Sequence, residues 1–351
     1  MKFHKFENID YPYFIADIAA NHDGSLQRAK DLVWLCKEAG ADCAKFQHFL
    51  ADKIVNDKEF QEITSLETHQ SSWKKSVSEI YDQYHFRREW TEEIRNECVK
   101  AEIDFSSTPY DCEAINEIKD LVPFIKIGSG DVSWLEHIEN CLKTKLPIII
   151  ATGACTLDDV DRAMNLISSY GNQHCIMQCN TNYTVDEDKF SYVNLNVIDI
   201  YKERYPNAIL GLSDHTTNYT SVLGSVAKGV KIIEKHFTDD NSREGPDHKF
   251  AINPKNWRKM VDLSRQLCDT LGDGKKKVEE NELNAYVVQR RSCVAKRDLP
   301  EGHIIEKNDI DFLRPCPEGS VQPYEYKEII GKKIKKKIEK NQSFRWESIC
   351  S

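Results

Sequence analysis

Two short runs, GLSDH (211–215) and IIEKHF (232–237), each carry an apolar segment directly into a histidine. A neutral imidazole nitrogen is a good metal ligand, so His215 and His236 are a pair able to share one ion if the fold brings the two runs side by side. Glu234, two residues before His236, then serves as a third ligand or as a partner that orients its neighbours. One histidine at the end of an apolar run is more often a hydrogen-bonded core residue, and it is the pairing that carries the metal reading. Two nitrogens without clustered thiolates leave coordination positions open, which suits Mn2+ or Mg2+ with water and substrate oxygens better than closed structural zinc.

Two lysines have the same placement. Lys45 and Lys126 close the apolar runs 42–46 and 124–127, where an ammonium without an anionic partner is costly to bury. Lys126 is followed by Gly128, Ser129 and Gly130, whose backbone N–H groups and hydroxyl form a cradle for a phosphate or carboxylate, extended by Thr152, Gly153 and Ser213. Two other readings stay open: lysines salt-bridged within the protein, and a Schiff-base aldolase, which needs a strand-end lysine but not the paired histidines. Asp17, Gln47 and Tyr183 stand after other apolar runs and complete a polar set.

Elements that hold such residues together follow from periodicity. Short apolar runs at 13–18, 42–46, 103–107, 124–127, 147–151, 174–178, 208–212 and 231–235 alternate with helix-period segments at 25–39, 87–100, 112–121, 134–142, 157–169, 193–202, 221–228 and 255–271. Eight strand–helix units over this length predict a closed (β/α)8 TIM barrel, with a doubly wound open sheet as the alternative. The barrel reading explains the chemistry, because the active site of that fold lies at the C-terminal ends of the strands. The stretch 47–86 is far longer than an ordinary connection and mixes Trp73 and Tyr81 with charges, which predicts a substrate-covering insertion. A charged, Gly-punctuated linker is expected over 273–289, after a barrel spanning 1–272. From 290 to 351 the rhythm changes to short β-like pieces, a small appended module. Its run GKKIKKKIEK (331–340) reads as a solvated face with Ile334 and Ile338 turned inward.

Composition excludes several classes. The formal charge of -9, from 57 acidic and 48 basic residues, argues against nucleic acid as a partner. No stretch reaches the roughly 20 apolar residues of a membrane helix, and the first residues lack a secretory h-region, so the expectation is a cytoplasmic protein with no membrane partner. Twelve cysteines scattered through the chain, mostly inside apolar runs, are expected as reduced thiols, with Cys175 and Cys179 as small core residues.

The segments ADIAANHDGS (16–25), AKFQ (44–47), FSSTPYD (105–111), KIGSGD (126–131), ATG (151–153), GLSDHT (211–216) and GPDHKFAINP (245–254) together resemble the sialic acid synthase family, which also makes legionaminic and pseudaminic acids. The resemblance covers nearly the whole chain. RRSCVAKRDLPEGHII (290–305), DIDFLRP (309–315) and EIIGKKI (328–334) are similar to the antifreeze-like (SAF) domain that ends these synthases. No regular flat repeat supports ice binding, and the resemblance implies a lid that reaches over the partner barrel in a domain-swapped homodimer.

The resemblance implies condensation of phosphoenolpyruvate with an open-chain, N-acetylmannosamine-like amino-sugar aldose, giving a nonulosonic 2-keto acid and phosphate. It makes His215 and His236 ligands of a divalent metal ion, and Lys45, Lys126 and Ser213 phosphoenolpyruvate contacts beside Ser129 and Thr152. Asp247 and Arg314 would contact the sugar, on a side shared with Asp17, Gln47 and Tyr183. Asp17 or Glu234 is expected to handle the proton of the attacking water. Two departures stand out: many members carry Glu at the position of Asp17, and Ser at the position of Ala151, which shifts a phosphate contact toward Thr152. Rival readings are a synthase using an aldose phosphate, which demands a second basic cluster, and a non-catalytic sugar binder on the same scaffold.

Overall fold

The structure, a computed structural model, describes residues 9–63, 70, 73–183, 185 and 187–350. Contacts divide it into two compact units, Met1–Gly272 and Asp273–Ser351.

In the first unit, eight parallel strands run β1 (Tyr13–Asp17), β2 (Cys43–His48), β3 (Asp104–Pro109), β4 (Ile125–Ile127), β5 (Ile148–Ala151), β6 (His174–Cys179), β7 (Ile209–Asp214) and β8 (Ile232–His236). Their order, β3-β2-β1-β8-β7-β6-β5-β4, is that of a barrel, with β1 laddered to both β2 and β8. β3 and β4 lie side by side, and Ser106 Oγ donates to Phe124 O across that seam (3.4 Å). Eight helices surround the strands: α1 (Leu26–Ala39), α2 (Thr91–Lys100), α3 (Cys112–Ile118), α4 (Leu135–Lys143), α5 (Leu157–Tyr170), α6 (Val197–Arg204), α7 (Thr220–Ala227) and α8 (Pro254–Leu271). This is the predicted (β/α)8 barrel.

Local signals set the helix ends. Ser25 accepts from Arg28 N to start α1, and Gly40, with φ 90°, ends it in the left-handed region that glycine adopts without strain. A reciprocal cap between Thr156 and Asp159 opens α5, and Asn253 with Pro254 opens α8.

Strand alternation divides the core in two. One face of each strand packs against the helices, giving a large cluster that contains Phe14, Ala44, Phe46, Ile125, Ile127, Ile150, Leu212 and Ile233. The other face fills the barrel interior with Tyr13, Ile15, Cys43, Phe124, Ile149, Ala151, Cys175, Met177, Cys179 and Ile232. Continuing the inward parity toward the C-terminal ends delivers Asp17, Lys45, Lys126, Ser213, Glu234 and His236 into one mouth. All twelve cysteines are unpaired thiols.

The second unit has its own core around Cys293, Leu299, Ile305, Val321, Ile329, Ile334, Ile338 and Phe344. β9 (Ser292–Ala295) pairs antiparallel with β10 (Ile310–Leu313). Ile334 and Ile338 are buried while Lys333, Lys335, Lys336 and Lys337 are exposed. Within the stretch read as a linker, Leu283–Val288 is helical, and Cys316 N donates to Val287 O (2.9 Å). No helix among the described residues is long and apolar enough to cross a membrane.

Candidate active site

A cavity of about 460 Å³ opens at the C-terminal ends of the strands. Asp17, Lys45, Gln47, Lys126, Ser129, Tyr183, Ser213, His215, Glu234, His236 and Asp247 all line it. Two expected residues do not. Thr152 follows the inward Ala151 by one position, so its side chain belongs to the outer face of β5. Its hydroxyl donates to Met177 O (2.8 Å) and accepts from Tyr201 OH (3.0 Å), which corrects the expectation of a phosphate contact there. Arg314 lies in the second unit, exposed, just after β10.

The two buried lysines do have anionic partners, and these are protein carboxylates. Lys45 Nζ lies 2.7 Å from Asp17 Oδ2 and 3.7 Å from Glu234 Oε1, and Lys126 Nζ donates to Glu234 Oε1 at 2.7 Å. Burial opposes the charge on Lys45, but Asp17 and then Glu234 outweigh it and hold the ammonium above its usual range. Asp17 is further engaged: Oδ2 accepts from Gln47 Nε2 (3.0 Å) and Oδ1 from Ala19 N (3.1 Å). Glu234 keeps one oxygen, Oε2, buried without a hydrogen-bond partner.

The imidazoles of His215 and His236 stand with centroids 5.4 Å apart, walled by Tyr183 (4.4 Å from His215) and Phe250 (5.0 Å from His236). His215 Nδ1 is bonded to Asn180 O (2.9 Å), which leaves Nε2 as the nitrogen available to a ligand. His236 Nδ1 is buried without a hydrogen-bond partner and lies 4.0 Å from Asp247 Oδ2. Burial, reinforced by His215 and Lys45, holds His236 well below the usual imidazole range, so the ring is neutral. Among the described residues no group of three or more His, Cys, Asp or Glu forms a ready-made metal cluster. A neutral, unpartnered imidazole beside a second one fits a divalent ion whose remaining positions go to oxygen ligands.

Sequence reasoning gave Asp131 no role, and named Asp247 and the long insertion without their surroundings. Asp131, at the end of KIGSGD, lines the cavity with Oδ2 buried and unpartnered, and burial pushes its carboxyl up to about 6. Asp247 is likewise raised to about 6 by burial, with the Asp17 charge adding to the shift. Phe49, Ile54, Trp73, Ile80, Tyr81 and Tyr84, from the long insertion, form an aromatic and aliphatic wall, for which Trp73 and Tyr81 were the legible signal. Residues 64–69 and 71–72 of that insertion lie outside the described residues. Gly153 N donates to Ser129 Oγ (2.9 Å), and a Cβ at Gly153 would stand 1.9 Å from Thr181 Oγ1, so only glycine permits this approach.

Fold and site thus define a barrel enzyme with a charge-balanced polar mouth. The NeuB family model matches residues 32–276 and the SAF domain model residues 290–349. An N,N'-diacetyllegionaminic acid synthase of Legionella pneumophila is 33% identical over 347 residues, 96% of this chain and 94% of that protein. A pseudaminic acid synthase of Campylobacter jejuni is 32% identical over 333 residues, 93% of each. The crystal structure of N-acetylneuraminic acid (sialic acid) synthetase from Leptospira borgpetersenii superposes with a TM-score of 0.69 at 24% identity, covering 78% of this chain and 90% of that one, a likeness of fold. The chain belongs to the NeuB family, carries a SAF domain, and is a transferase of the phosphoenolpyruvate-dependent nonulosonic acid synthase class. Synthases of this family are generally metal-dependent.

The lysine–carboxylate geometry yields a stability prediction. Lys126→Met leaves Glu234 short of its closest cation in a buried setting and should cost about 3 kcal/mol. Thermal melts should then show Lys126→Met/Glu234→Gln recovering most of that loss. Equal melting points for wild type and Lys126→Met would mean that the two side chains do not depend on each other.

Proposed function

We propose that this cavity joins phosphoenolpyruvate to an uncharged N-acylated amino-sugar aldose, with His215 and His236 holding Mn2+ or Mg2+. The observation that carries this reading is the convergence of two buried ammoniums and two adjacent imidazoles on one cavity. Lys45, Lys126, Ser129 and Ser213 would receive the phosphate and carboxylate, since each ammonium has donors beyond those its carboxylate partner accepts. Asp17, Gln47, Tyr183 and Asp247 would face the sugar. Among the described lining residues Lys45 and Lys126 are the lysines and there is no arginine, so a phosphorylated acceptor would find no second basic cluster. The wall of Trp73, Ile80 and Tyr81 suits acyl methyl groups.

His215 and His236 would hold the divalent ion, which when bound would supply Lewis-acid polarisation of the aldehyde oxygen. Phosphoenolpyruvate C3 forms the new bond to the aldehyde carbon, whose oxygen takes up one proton of the attacking water. The water oxygen bonds to C2, the C2–O bond to phosphate breaks, and the second proton leaves with phosphate. Lys45 and Lys126 stabilise the anionic groups throughout. Unpaired thiols suit a cytoplasmic setting. Phosphate release from phosphoenolpyruvate across a panel of aldoses, with mass spectrometry of products, tests the assignment. A 2-keto acid nine carbons long should form only with N-acylated, non-phosphorylated sugars, and His236→Ala should lose it while still folding. Turnover only with sugar phosphates would overturn the acceptor assignment.

Proton handling, expected of Asp17 or Glu234, we assign to Asp131. Asp17 is committed to Lys45, Gln47 and Ala19, and Glu234 is tied to both Lys126 and Lys45, whereas Asp131 has an unpartnered oxygen beside the Ser129 cradle and no ion pair among the described residues. Acting as a base, Asp131 must be ionised, so kcat should fall as pH drops through about 6. Asp131→Asn should lower kcat on the order of a hundredfold and flatten that limb. Asp247 titrates in the same range, so Asp247→Asn should retain the limb; its loss there instead would reassign the base.

The SAF unit is small, and Arg314 is exposed without an ion-pair partner among the described residues. In the domain-swapped homodimer that we infer, it completes the sugar side of the neighbouring subunit's site. Heterodimers of Arg314→Ala and His236→Ala chains should regain one intact site. Heterodimers without activity would leave Arg314 serving its own barrel.

A further inference from the structure

Behind the proposed metal pair lies a second, wholly internal polar cluster. Asp214 and Lys235 are register partners on β7 and β8, each immediately preceding one of the imidazoles. Alternation turns them outward, away from the cavity and toward α7, where both side chains are buried. Lys235 Nζ donates to Asp214 Oδ2, to Thr216 O (2.6 Å) and, at 3.5 Å, to Thr216 Oγ1. Asp214 Oδ2 also accepts from Thr216 Oγ1 (2.9 Å) and from Ser221 Oγ (2.7 Å) at the start of α7, while Oδ1 accepts from Thr216 N (3.2 Å). Both chain neighbours of His215, Asp214 and Thr216, are therefore bonded to the ammonium of the residue that precedes His236.

A fully buried ion pair adds little net stability, because desolvation offsets the attraction and a well-packed apolar pair does as well. What this cluster does provide is directional bonding, which fixes the tips of two strands and the intervening turn against one another. Backbone bonds complete the frame: Phe237 N donates to Asp17 O (2.8 Å) and Ile252 N to His236 O (2.9 Å). We propose that Lys235, through Asp214 and Thr216, is a positioning residue that sets the spacing and orientation of His215 and His236. The inference rests on the metal reading given above. Outer partners that orient metal ligands typically govern affinity by 10- to 100-fold, on the order of what is expected here.

The test measures Mn2+ binding to the full-length protein without substrates, by the electron paramagnetic resonance signal of the free ion. Lys235→Met alone strands the Asp214 charge, so the decisive variant is Lys235→Met/Asp214→Asn, which keeps shape and leaves no buried charge. That variant should fold and bind phosphoenolpyruvate within about twofold of wild type, yet bind Mn2+ at least about tenfold more weakly. Mn2+ affinity within twofold of wild type in the folded double variant overturns the inference and leaves the metal reading intact. A double variant that fails to fold also overturns it, since the pair would then serve the fold and not the site. Wild-type protein that binds no Mn2+ removes both together.

Discussion

Charge that is driven into the mouth of a closed barrel must be neutralised there. Asp17, Lys45, Lys126 and Glu234 sit at inward positions of four strands, and each reaches an opposite charge on a different strand. Coulomb attraction at these separations is far stronger in a partly dehydrated cavity than in water, but each charge has also given up hydration, so the set holds only when complete. The rest of the mouth depends on that balance. Gln47 and the Ala19 backbone are oriented by Asp17, and the orphan oxygen of Glu234 is held within the cavity because its sibling is tied to Lys126.

Much of this was legible in the sequence, for a definite reason. Strands buried on both faces read as short apolar runs, and a charged residue closing such a run has to be explained by the site. Lys45, Lys126, Glu234 and His236 announced themselves this way, and the barrel followed from the number of strand–helix units. Thr152 misled because position after a strand was read without its parity: Ala151 already occupied the inward place, so the next side chain had to point out. Asp131 was given no role because it stands five residues beyond the inward lysine of β4, in a turn whose course periodicity does not describe. The insertion wall was only half legible, since an aromatic residue in a long loop reveals burial without revealing against what.

The same parity argument separates two layers in the strands that carry the histidines. Glu234 and His236 face the cavity, whereas Lys235 between them faces the helices, and Asp214 stands in the same relation to Ser213 and His215. A run such as IIEKHF therefore mixes residues of two different environments, and its charge pattern makes sense only after the odd and even positions are taken apart. The outward layer is fully hydrogen-bonded, as a buried polar cluster must be, while the inward layer keeps unpartnered atoms at Glu234 and His236. Within β7 and β8 the unsatisfied buried polar atoms lie on the face where a ligand can satisfy them.

That distinction bears on how the cavity accepts a highly charged substrate. The two ammoniums are balanced by Asp17 and Glu234, and Asp131 and Asp247 add further carboxyls to the same mouth, so entry of a phosphate and a carboxylate is favoured by added positive charge or the loss of negative charge. A cation at the imidazole pair would supply the first, and a carboxyl that takes up a proton the second. Burial has already raised Asp247 to about 6, so protonating it near neutrality costs little compared with an ordinary carboxyl. An anion that binds beside it raises its proton affinity further, and by linkage its protonation strengthens that binding. Asp247 is thus an adjustable charge beside a fixed, paired set, whereas Asp131, as the proposed base, works only while ionised.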